Sequence, residues 1–227
     1  MITQACQTSD SKSGCPAHVP GSFLKDIGVG MDNASNIGFT KTVKAIQERK
    51  GSRRSYENAQ WQTEISDDLA SYIANMRSVF VSTANGQGYP YIQHKGGPPG
   101  FLHVLDRKTI AHDDFKRNRQ FITQGNLQDN PRTFMFMIDF LNSQRVKLWG
   151  CSEIIEDDPD LLARLMPDPS TYNARPEQVF KFTVEAWDVN CPQHIPQRVD
   201  AKDFNRILQE KDLRIAELEA ALEQSGA

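Results

Sequence analysis

Three short groups of polar residues interrupt otherwise apolar segments, and their side chains could together bind an anion. Each group contains Lys or Arg, and a guanidinium can pair with a phosphate through two parallel hydrogen bonds. The groups are Gln93-His94-Lys95, Asn118-Arg119-Gln120, and the alternating pair Arg145 and Lys147. The alternative interpretation is that these are solvated surface charges, as single lysines usually are.

Arg119 belongs to the group that begins a predicted helix, and it could form a phosphate pocket there. The first N–H groups of a helix lack partners within the helix, so these groups, the helix dipole and the guanidinium all favour a dianion. Lys95 and Lys147 could complete such a phosphate clamp. Arg145 and Lys147 are two residues apart in a predicted strand, so they point to one face of it.

A segment rich in glycine and proline follows Lys95 directly. Residues 96–100 read Gly-Gly-Pro-Pro-Gly between two stretches typical of β-strands, although a plain hairpin needs only two turn residues. Glycine lets the backbone approach a ligand closely, and proline stiffens the chain. The segment therefore indicates a place that needs both a cation and a close approach of the backbone; a tight corner with an incidental lysine is the alternative.

Two similar tetrapeptides could supply ligands to a metal. Cys15-Pro-Ala-His18 and Cys191-Pro-Gln-His194 would together provide two sulfurs and two nitrogens, a set that suits zinc. Each is only a C-x-x-H, however, and the first lies in a segment without hydrophobic periodicity. We therefore interpret them as unrelated loop cysteines and predict no metal site.

Short β-rich runs separated by turn signals predict the elements that position these residues. They extend from residues 78–85 to 177–190, with a helical pattern inserted at 115–132. The pattern predicts six antiparallel strands in a closed sheet, since closure removes exposed edges. Ahead of the strands, Ser66 suits the N-cap of a helix, whose apolar stripe comprises Leu69, Tyr72, Ile73 and Met76.

Composition divides the chain into three parts. Residues 1–35 are rich in Ser, Gly, Asp and Asn and predict a flexible arm, and 36–198 form the main domain. Residues 199–227 predict a charged helix, in which Ile215, Leu218 and Leu222 match a coiled-coil seam for less than two heptads. Packing of this helix on its own domain and packing on a second subunit are equally compatible with the pattern.

The bulk composition excludes several classes of protein. The 227 residues are 38% hydrophobic and 24% charged with a formal net charge of -3, which gives no support for nucleic-acid binding by bulk electrostatics. No apolar run approaches the roughly 20 residues of a membrane helix, and the N-terminus lacks the pattern of a secretory signal. We therefore expect a cytoplasmic protein without a nucleic-acid or membrane partner.

Three segments, in this order and at this spacing, resemble the pyridoxamine 5'-phosphate oxidase-related family of FMN-binding split barrels. They are ANGQGYPYIQHKGGPPGFLHVLD (84–106), DDFKRNRQFITQGNLQDNPR (113–132) and RVKLWGCSEII (145–155). NCPQHIPQR (190–198) is also similar to the tail of one subgroup. The resemblance covers about residues 40–198. It implies a mainly β fold with flanking helices, a six-stranded antiparallel split β-barrel that binds FMN at a homodimer interface.

The resemblance also implies which residues contact the cofactor. Asp113 and Asp114 would lie at the pyrimidine end of the flavin, and Arg145 and Lys147 would approach it from the other subunit. The remaining residues would bind the phosphate and the ribityl chain. The full set is Gln93, His94, Lys95, Asp113, Asp114, Asn118, Arg119, Gln120, Arg145 and Lys147.

By resemblance, the chain would be an FMN-dependent oxidoreductase of a small molecule, with NAD(P)H as a candidate reductant. The Arg and His residues with which the true oxidase holds pyridoxal phosphate have no match after Trp187, so Gln193 and His194 are candidates for the substrate side instead. The alternative is a non-enzymatic protein that binds flavin, senses redox state, or carries haem or a deazaflavin. The candidate axial ligands for haem are His94, His112 and His194.

Overall fold

A computed structural model describes residues 33–116, 119–166, 172 and 175–225. The helices of these residues are α1 (Lys41–Lys50), α2 (Arg53–Tyr56), α3 (Asp67–Asn75), α4 (Ile122–Asp129), α5 (Pro159–Leu165) and α6 (Ala201–Ser225). The strands are β1 (Ser78–Ala84), β2 (Pro90–Gly96), β3 (His103–Asp106), β4 (Thr109–Phe115), β5 (Arg132–Asp139), β6 (Gln144–Ile155) and β7 (Pro176–Val189). A 3-10 helix, Ala34–Ile37, precedes α1.

The strands form one sheet in the order β2-β1-β5-β6-β7-β4-β3. The pairs β1–β2, β1–β5, β3–β4, β4–β7 and β6–β7 are antiparallel. The prediction of a mainly antiparallel β fold with flanking helices is therefore confirmed. The prediction of six strands in a closed sheet is corrected, because the described residues form seven strands in an open sheet.

The turn between β3 and β4 and the open edges of the sheet have local causes. Asp106 accepts a hydrogen bond from the N–H of Lys108 at 2.7 Å, and this tight turn divides the segment into β3 and β4. The four-residue β3 forms one edge of the sheet and β2 forms the other. Pro98 and Pro99 follow β2 and have no N–H to donate, so the ladder of hydrogen bonds cannot continue past them.

Helix α3 packs on the main hydrophobic cluster, as its sequence predicts. The Ser66 hydroxyl accepts the N–H of Leu69 at 3.2 Å and caps the helix. Leu69, Ile73 and Met76 are buried with strand residues such as Phe182. Burial of each large apolar side chain contributes about 1.5–3 kcal/mol, so this stripe fixes α3 against the sheet.

Strand β4 separates the main cluster from a smaller one. Ile110 belongs to the main cluster, whereas its neighbour Ala111 packs with Leu165 of α5. Successive side chains of a strand point to opposite faces, so Asp114 shares the face of Ile110 and Asp113 shares that of Ala111. The two adjacent acids therefore lie in different surroundings.

The described residues divide into two compact units. One comprises the residues up to Met137 together with Val146–Asn190, and the other comprises Ile138–Arg145 and the residues from Cys191 onward. Most of the predicted arm, residues 1–32, lies outside the described part of the chain. None of the helices in the described part combines the length and the apolar content that a membrane crossing requires.

Candidate functional site

A cleft in the first unit gathers five of the predicted residues. Measured out to its open mouth and including open solvent, it encloses about 460 Å³. The predicted residues that line it are Gln93, Lys95, Asp114, Arg119 and Gln120. The other lining residues are Tyr91, Phe115, Phe121, Ile122, Thr123, Gln124, Glu177 and Gln178. Strand β2, the end of β4 and the start of α4 therefore form the cleft together.

Alternation along β2 decides which of its residues face the cleft. Gln93 and Lys95 line it, and Lys95 is only 3% exposed. His94 lies between them and points to the opposite face, where its ring contacts that of Phe80 with centroids 5.5 Å apart. The side chain of His94 therefore does not line this cleft. Its predicted contact with a cofactor stays a prediction.

Lys95 is held by an ion pair on the floor of the cleft. Its ammonium contacts Oδ1 of Asp114, and Gln178 donates a hydrogen bond to Oδ2 of the same carboxylate at 3.1 Å. Burial would raise the pKa of Asp114, but the Lys95 charge and the hydrogen bonds from Lys95 and Gln178 outweigh it and lower the pKa. The carboxylate therefore stays ionised and neutralises the buried ammonium.

Arg119 stands at the start of α4 in an unusual backbone conformation. Arg119 and Phe121 both have left-handed backbone angles, with φ of 58° and 53°, which bulky residues rarely adopt. The Arg119 guanidinium lies 5.5 Å from the centroid of the Phe121 ring. Among the residues that the structure describes, no carboxylate pairs with Arg119. Its charge is therefore available to a ligand.

The N-terminus of α4 lacks the side-chain cap that α1, α3 and α5 have. The residues that cap α1, α3 and α5 through a side-chain oxygen are Thr40, Ser66 and Asp158. At α4 the N-cap is Phe121, which has no polar side chain. Since the first intrahelical bond runs from Gly125 to Phe121, the earlier N–H groups of this turn are left for water or for a ligand.

A hydroxyl and an amide add neutral hydrogen-bonding capacity. The Thr123 hydroxyl donates to Oε1 of Gln93 at 2.8 Å and links α4 to β2. The cleft thus combines a guanidinium, an uncapped helix start, this polar pair and a neutralised Lys95–Asp114 pair, and the carboxylate of Glu177 also lines it. Such an arrangement favours a compact anion attached to a group with hydroxyls.

Asp113 lies on the other face of β4, where its carboxyl is buried. It is 4% exposed, and its two side-chain oxygens have no hydrogen-bond partner among the described residues. Burial raises the pKa of Asp113 to about 7. Its predicted contact with the pyrimidine end of a flavin stays a prediction, which the backbone of β4 could satisfy.

The raised pKa of Asp113 predicts that stability falls as the pH rises. Between the ordinary value of 3.8 and about 7, the folded chain keeps a proton that the unfolded chain has released. Stability should therefore fall by about 2 kcal/mol from pH 5.5 to pH 8 and level off above. Urea unfolding at several pH values measures this slope. Asp113→Asn should flatten it and exposed Asp68→Asn should not; an equal slope in all three chains would contradict the assignment.

Lys147, one of the predicted flavin contacts, lies in a group of aromatic side chains. Its ammonium pairs with Asp188 at 2.9 Å and lies 5.4 Å and 5.6 Å from the ring centroids of Trp61 and Trp149. The two indoles stack with centroids 4.4 Å apart. Cation–π contacts of this kind stabilise the ammonium. Its approach to a flavin in another subunit stays a prediction.

The remaining predicted residues lie in the second unit or outside the described residues. Arg145 donates hydrogen bonds to the backbone carbonyls of Cys191 and Gln193, the latter at 3.2 Å. His194 is exposed and has a left-handed φ of 63°. Asn118 and the tetrapeptide at 15–18 are not among the described residues, so their predicted roles stay predictions.

A glycine after Lys95 does allow a close approach of the backbone, but the group that it approaches is the side chain of Phe101 in the same chain. A Cβ on Gly97 would lie 2.6 Å from Cβ of Phe101, a distance that real Cβ atoms do not adopt. Phe101 is 4% exposed and belongs to the main cluster. The glycine therefore lets this turn pack on the core, a role that the sequence pattern left open.

Sequence reasoning missed eight residues that line the cleft, among them Phe121, Thr123 and Gln178. Thr123 fell inside a predicted helix that began at residue 115, so its position in the first turn was not recognised. Gln178 stands opposite Asp114 in the β4–β7 register. The signal in the sequence was that Gln178 is a polar residue near the start of a long β-rich run. Alternation along that strand does not show that Gln178 lies opposite Asp114.

Comparisons with known proteins identify the family. A family model described as pyridoxamine 5'-phosphate oxidase matches residues 65–191, more than half of the chain. No curated protein matches. Among solved structures, HupZ of Group A Streptococcus is 18% identical, with 60% of this chain and 99% of that chain covered and a TM-score of 0.45. An FMN-binding protein from Syntrophomonas wolfei is 12% identical, with coverages of 66% and 97% and a TM-score of 0.43.

The heme storage protein HutZ from Vibrio cholerae is 13% identical, with 55% of this chain and 94% of that chain covered and a TM-score of 0.39. The range that the family model matches contains every residue named in the cleft, from Tyr91 to Gln178. The resemblance of the three sequence segments is therefore confirmed, and the chain belongs to the pyridoxamine 5'-phosphate oxidase family.

Proposed function

We propose that the chain is an FMN-dependent oxidoreductase that binds the flavin phosphate in this cleft. The observation that carries the proposal is the position of Arg119, which has no carboxylate partner among the described residues, beside the uncapped start of α4. A phosphate dianion would be stabilised by the guanidinium and by the N–H groups of the first turn. Membership of the family supports FMN as the group that carries this phosphate.

The side chains of the cleft fit the parts of FMN. Arg119 and the start of α4 would bind the phosphate, and the linked Thr123 and Gln93 would hydrogen-bond the ribityl hydroxyls. The Lys95–Asp114 pair adds no net charge and fixes β2 relative to β4. FMN would supply the electron and hydride transfer when bound. The chain would supply orientation and the neutralising charge for the phosphate.

Further parts of the proposal follow from the resemblance. We propose a homodimer in which Arg145 and Lys147 approach the flavin of the partner subunit. Gln193 and His194 would lie on the substrate side. The substrate would be a small molecule, and a diffusing NAD(P)H would be a suitable reductant. The buried carboxyl of Asp113 would need to rearrange to reach a ligand, so we propose a backbone contact at that position.

A visible absorption spectrum tests this function. The purified chain is examined as isolated, after addition of FMN, and after anaerobic addition of NADPH. We expect a flavin spectrum that NADPH bleaches. A flavin spectrum that stays oxidised would favour flavin storage or sensing over an NADPH-dependent oxidoreductase. An intense Soret band would instead indicate haem, and a deazaflavin spectrum would indicate that cofactor. No bound chromophore after FMN addition would contradict the proposal.

A further inference from the structure

Helix α6 presents a row of large apolar side chains to solvent. It runs without interruption for 25 residues, Ala201–Ser225, which corresponds to about 37 Å. The exposed fractions are 51% for Phe204, 44% for Leu208, 53% for Ile215 and 47% for Leu218. Rows of this kind on a long helix mark an interaction surface more often than a solvated one.

The row can be assigned to heptad positions from Phe204 to Leu222 when the polar Lys211 is included. Leu208, Ile215 and Leu222 are seven residues apart and occupy position a, and Phe204, Lys211 and Leu218 occupy position d. Alternating steps of four and three residues are the spacing of a coiled-coil seam. Lys211 is the one polar residue among these six positions, and its alkyl stem can cover the seam while its ammonium reaches water. Leu213, which is 68% exposed, falls at position f, away from the seam.

The charges beside the seam favour a second copy of α6 in parallel orientation. In a parallel pair, position g of one helix faces position e of the next heptad in the other. Arg214 at g would then face Glu219 at e of the second copy, twice by symmetry. In an antiparallel pair, e faces e, so the acids Asp212 and Glu219 would meet acids. The parallel arrangement therefore pairs opposite charges and the antiparallel one opposes like charges.

Charge also disfavours a membrane surface as the occupant of this face. Residues 201–225 contain six acidic and four basic side chains, whereas amphipathic helices that bind anionic lipid carry an excess of Lys and Arg. The surface ion pairs Arg206–Glu210 and Arg214–Glu217, at 2.8 Å and 2.9 Å, support the helix itself.

We propose that α6 forms a parallel two-stranded coiled coil with α6 of a second copy of this chain. The seam comprises Phe204, Leu208, Ile215, Leu218 and Leu222. This interface is separate from the flavin site and does not rest on the proposed function. It tethers two chains and so raises the effective concentration at which any other surfaces of the pair meet.

Disulfide cross-linking of the full chain tests the arrangement. Leu208→Cys places a thiol at position a, near one end of the helix, where only a parallel pair brings the two equivalent thiols together. Leu213→Cys places a matched thiol at position f. Under mild oxidation, Leu208→Cys is expected to form a covalent dimer at least about tenfold faster than Leu213→Cys, because pairing gives millimolar effective concentrations. Mass spectrometry of the linked peptide separates this bond from those of the native cysteines, such as the exposed Cys191.

Second substitutions test whether the fast cross-linking depends on the seam and on the charges beside it. Added to Leu208→Cys, Leu218→Asp should abolish the fast reaction, whereas Leu213→Asp should leave it unchanged. Arg214→Glu should slow it, and Arg214→Glu with Glu219→Arg should restore it. Equal rates for Leu208→Cys and Leu213→Cys, or a fast reaction that survives Leu218→Asp, would overturn the proposal. None of these residues lies in the cleft, so FMN binding is scored independently.

Discussion

A chain in which Arg119 is replaced by alanine is expected to bind FMN at least about 30-fold more weakly than the parent chain, a loss of about 2 kcal/mol. Arg119 is the cation of the cleft without a carboxylate partner among the described residues, whereas the Lys95 charge is neutralised by Asp114. The substitution would therefore remove the main positive charge offered to the phosphate. Quenching of flavin fluorescence during titration measures the dissociation constant.

Two control variants separate this contact from general effects of charge. Arg107→Ala removes the same charge from a side chain that is 66% exposed and 3.7 Å from Asp67, so it should leave FMN affinity unchanged. Arg119→Lys keeps the charge but loses the paired donors, so it should recover only part of the affinity. Unchanged FMN affinity in Arg119→Ala would remove the phosphate site from this cleft.

Replacement of Lys95 by methionine is expected to lower the free energy of unfolding by about 3 kcal/mol near neutral pH. Methionine fills a similar volume, but it leaves the Asp114 carboxylate, 17% exposed, without its ion-pair partner. The hydrogen bond from Gln178 remains and does not replace a full charge. Urea unfolding of the parent and the variant measures the difference.

A second substitution and a change of pH test the cause of this loss. Lys95→Met with Asp114→Leu should recover most of the stability, because an apolar pair often replaces a buried ion pair without loss. The pKa of Asp114 is lowered in the parent chain, but burial without the Lys95 charge would raise it in Lys95→Met. As the pH falls, the carboxyl of the variant therefore takes up a proton before that of the parent, which relieves the variant's penalty. The gap between parent and Lys95→Met should thus narrow toward pH 4. If the double variant is no more stable than Lys95→Met, the ion pair is not the cause.

Some parts of this site were readable from local patterns, because the forces that set them act between near neighbours. Alternation along a strand placed Gln93 and Lys95 on one face, and the cleft contains both. The Ser66 cap and the apolar stripe of α3 were also local signals, and both are present. Arg119 beside a helix start was predicted from the order of residues alone.

Other parts could not be read because they depend on distant contacts or on strained backbone. β2 and β4 are not neighbours in the sheet, so no register rule pairs Lys95 with Asp114. The helical pattern favoured a helix from residue 115, but α4 begins at Ile122 after the left-handed Arg119 and Phe121. Bulky residues seldom adopt that conformation, and the sequence carries no signal for it.

Paired titrations of the parent chain with FMN and with riboflavin test the central claim most directly, because the two ligands differ only in the phosphate. The account predicts that FMN binds at least about 30-fold more tightly than riboflavin. It also predicts that this preference largely disappears in Arg119→Ala and persists in Arg107→Ala. Equal affinity of the parent chain for the two flavins, or a preference for FMN that Arg119→Ala leaves intact, would contradict the claim that this cleft binds the flavin phosphate.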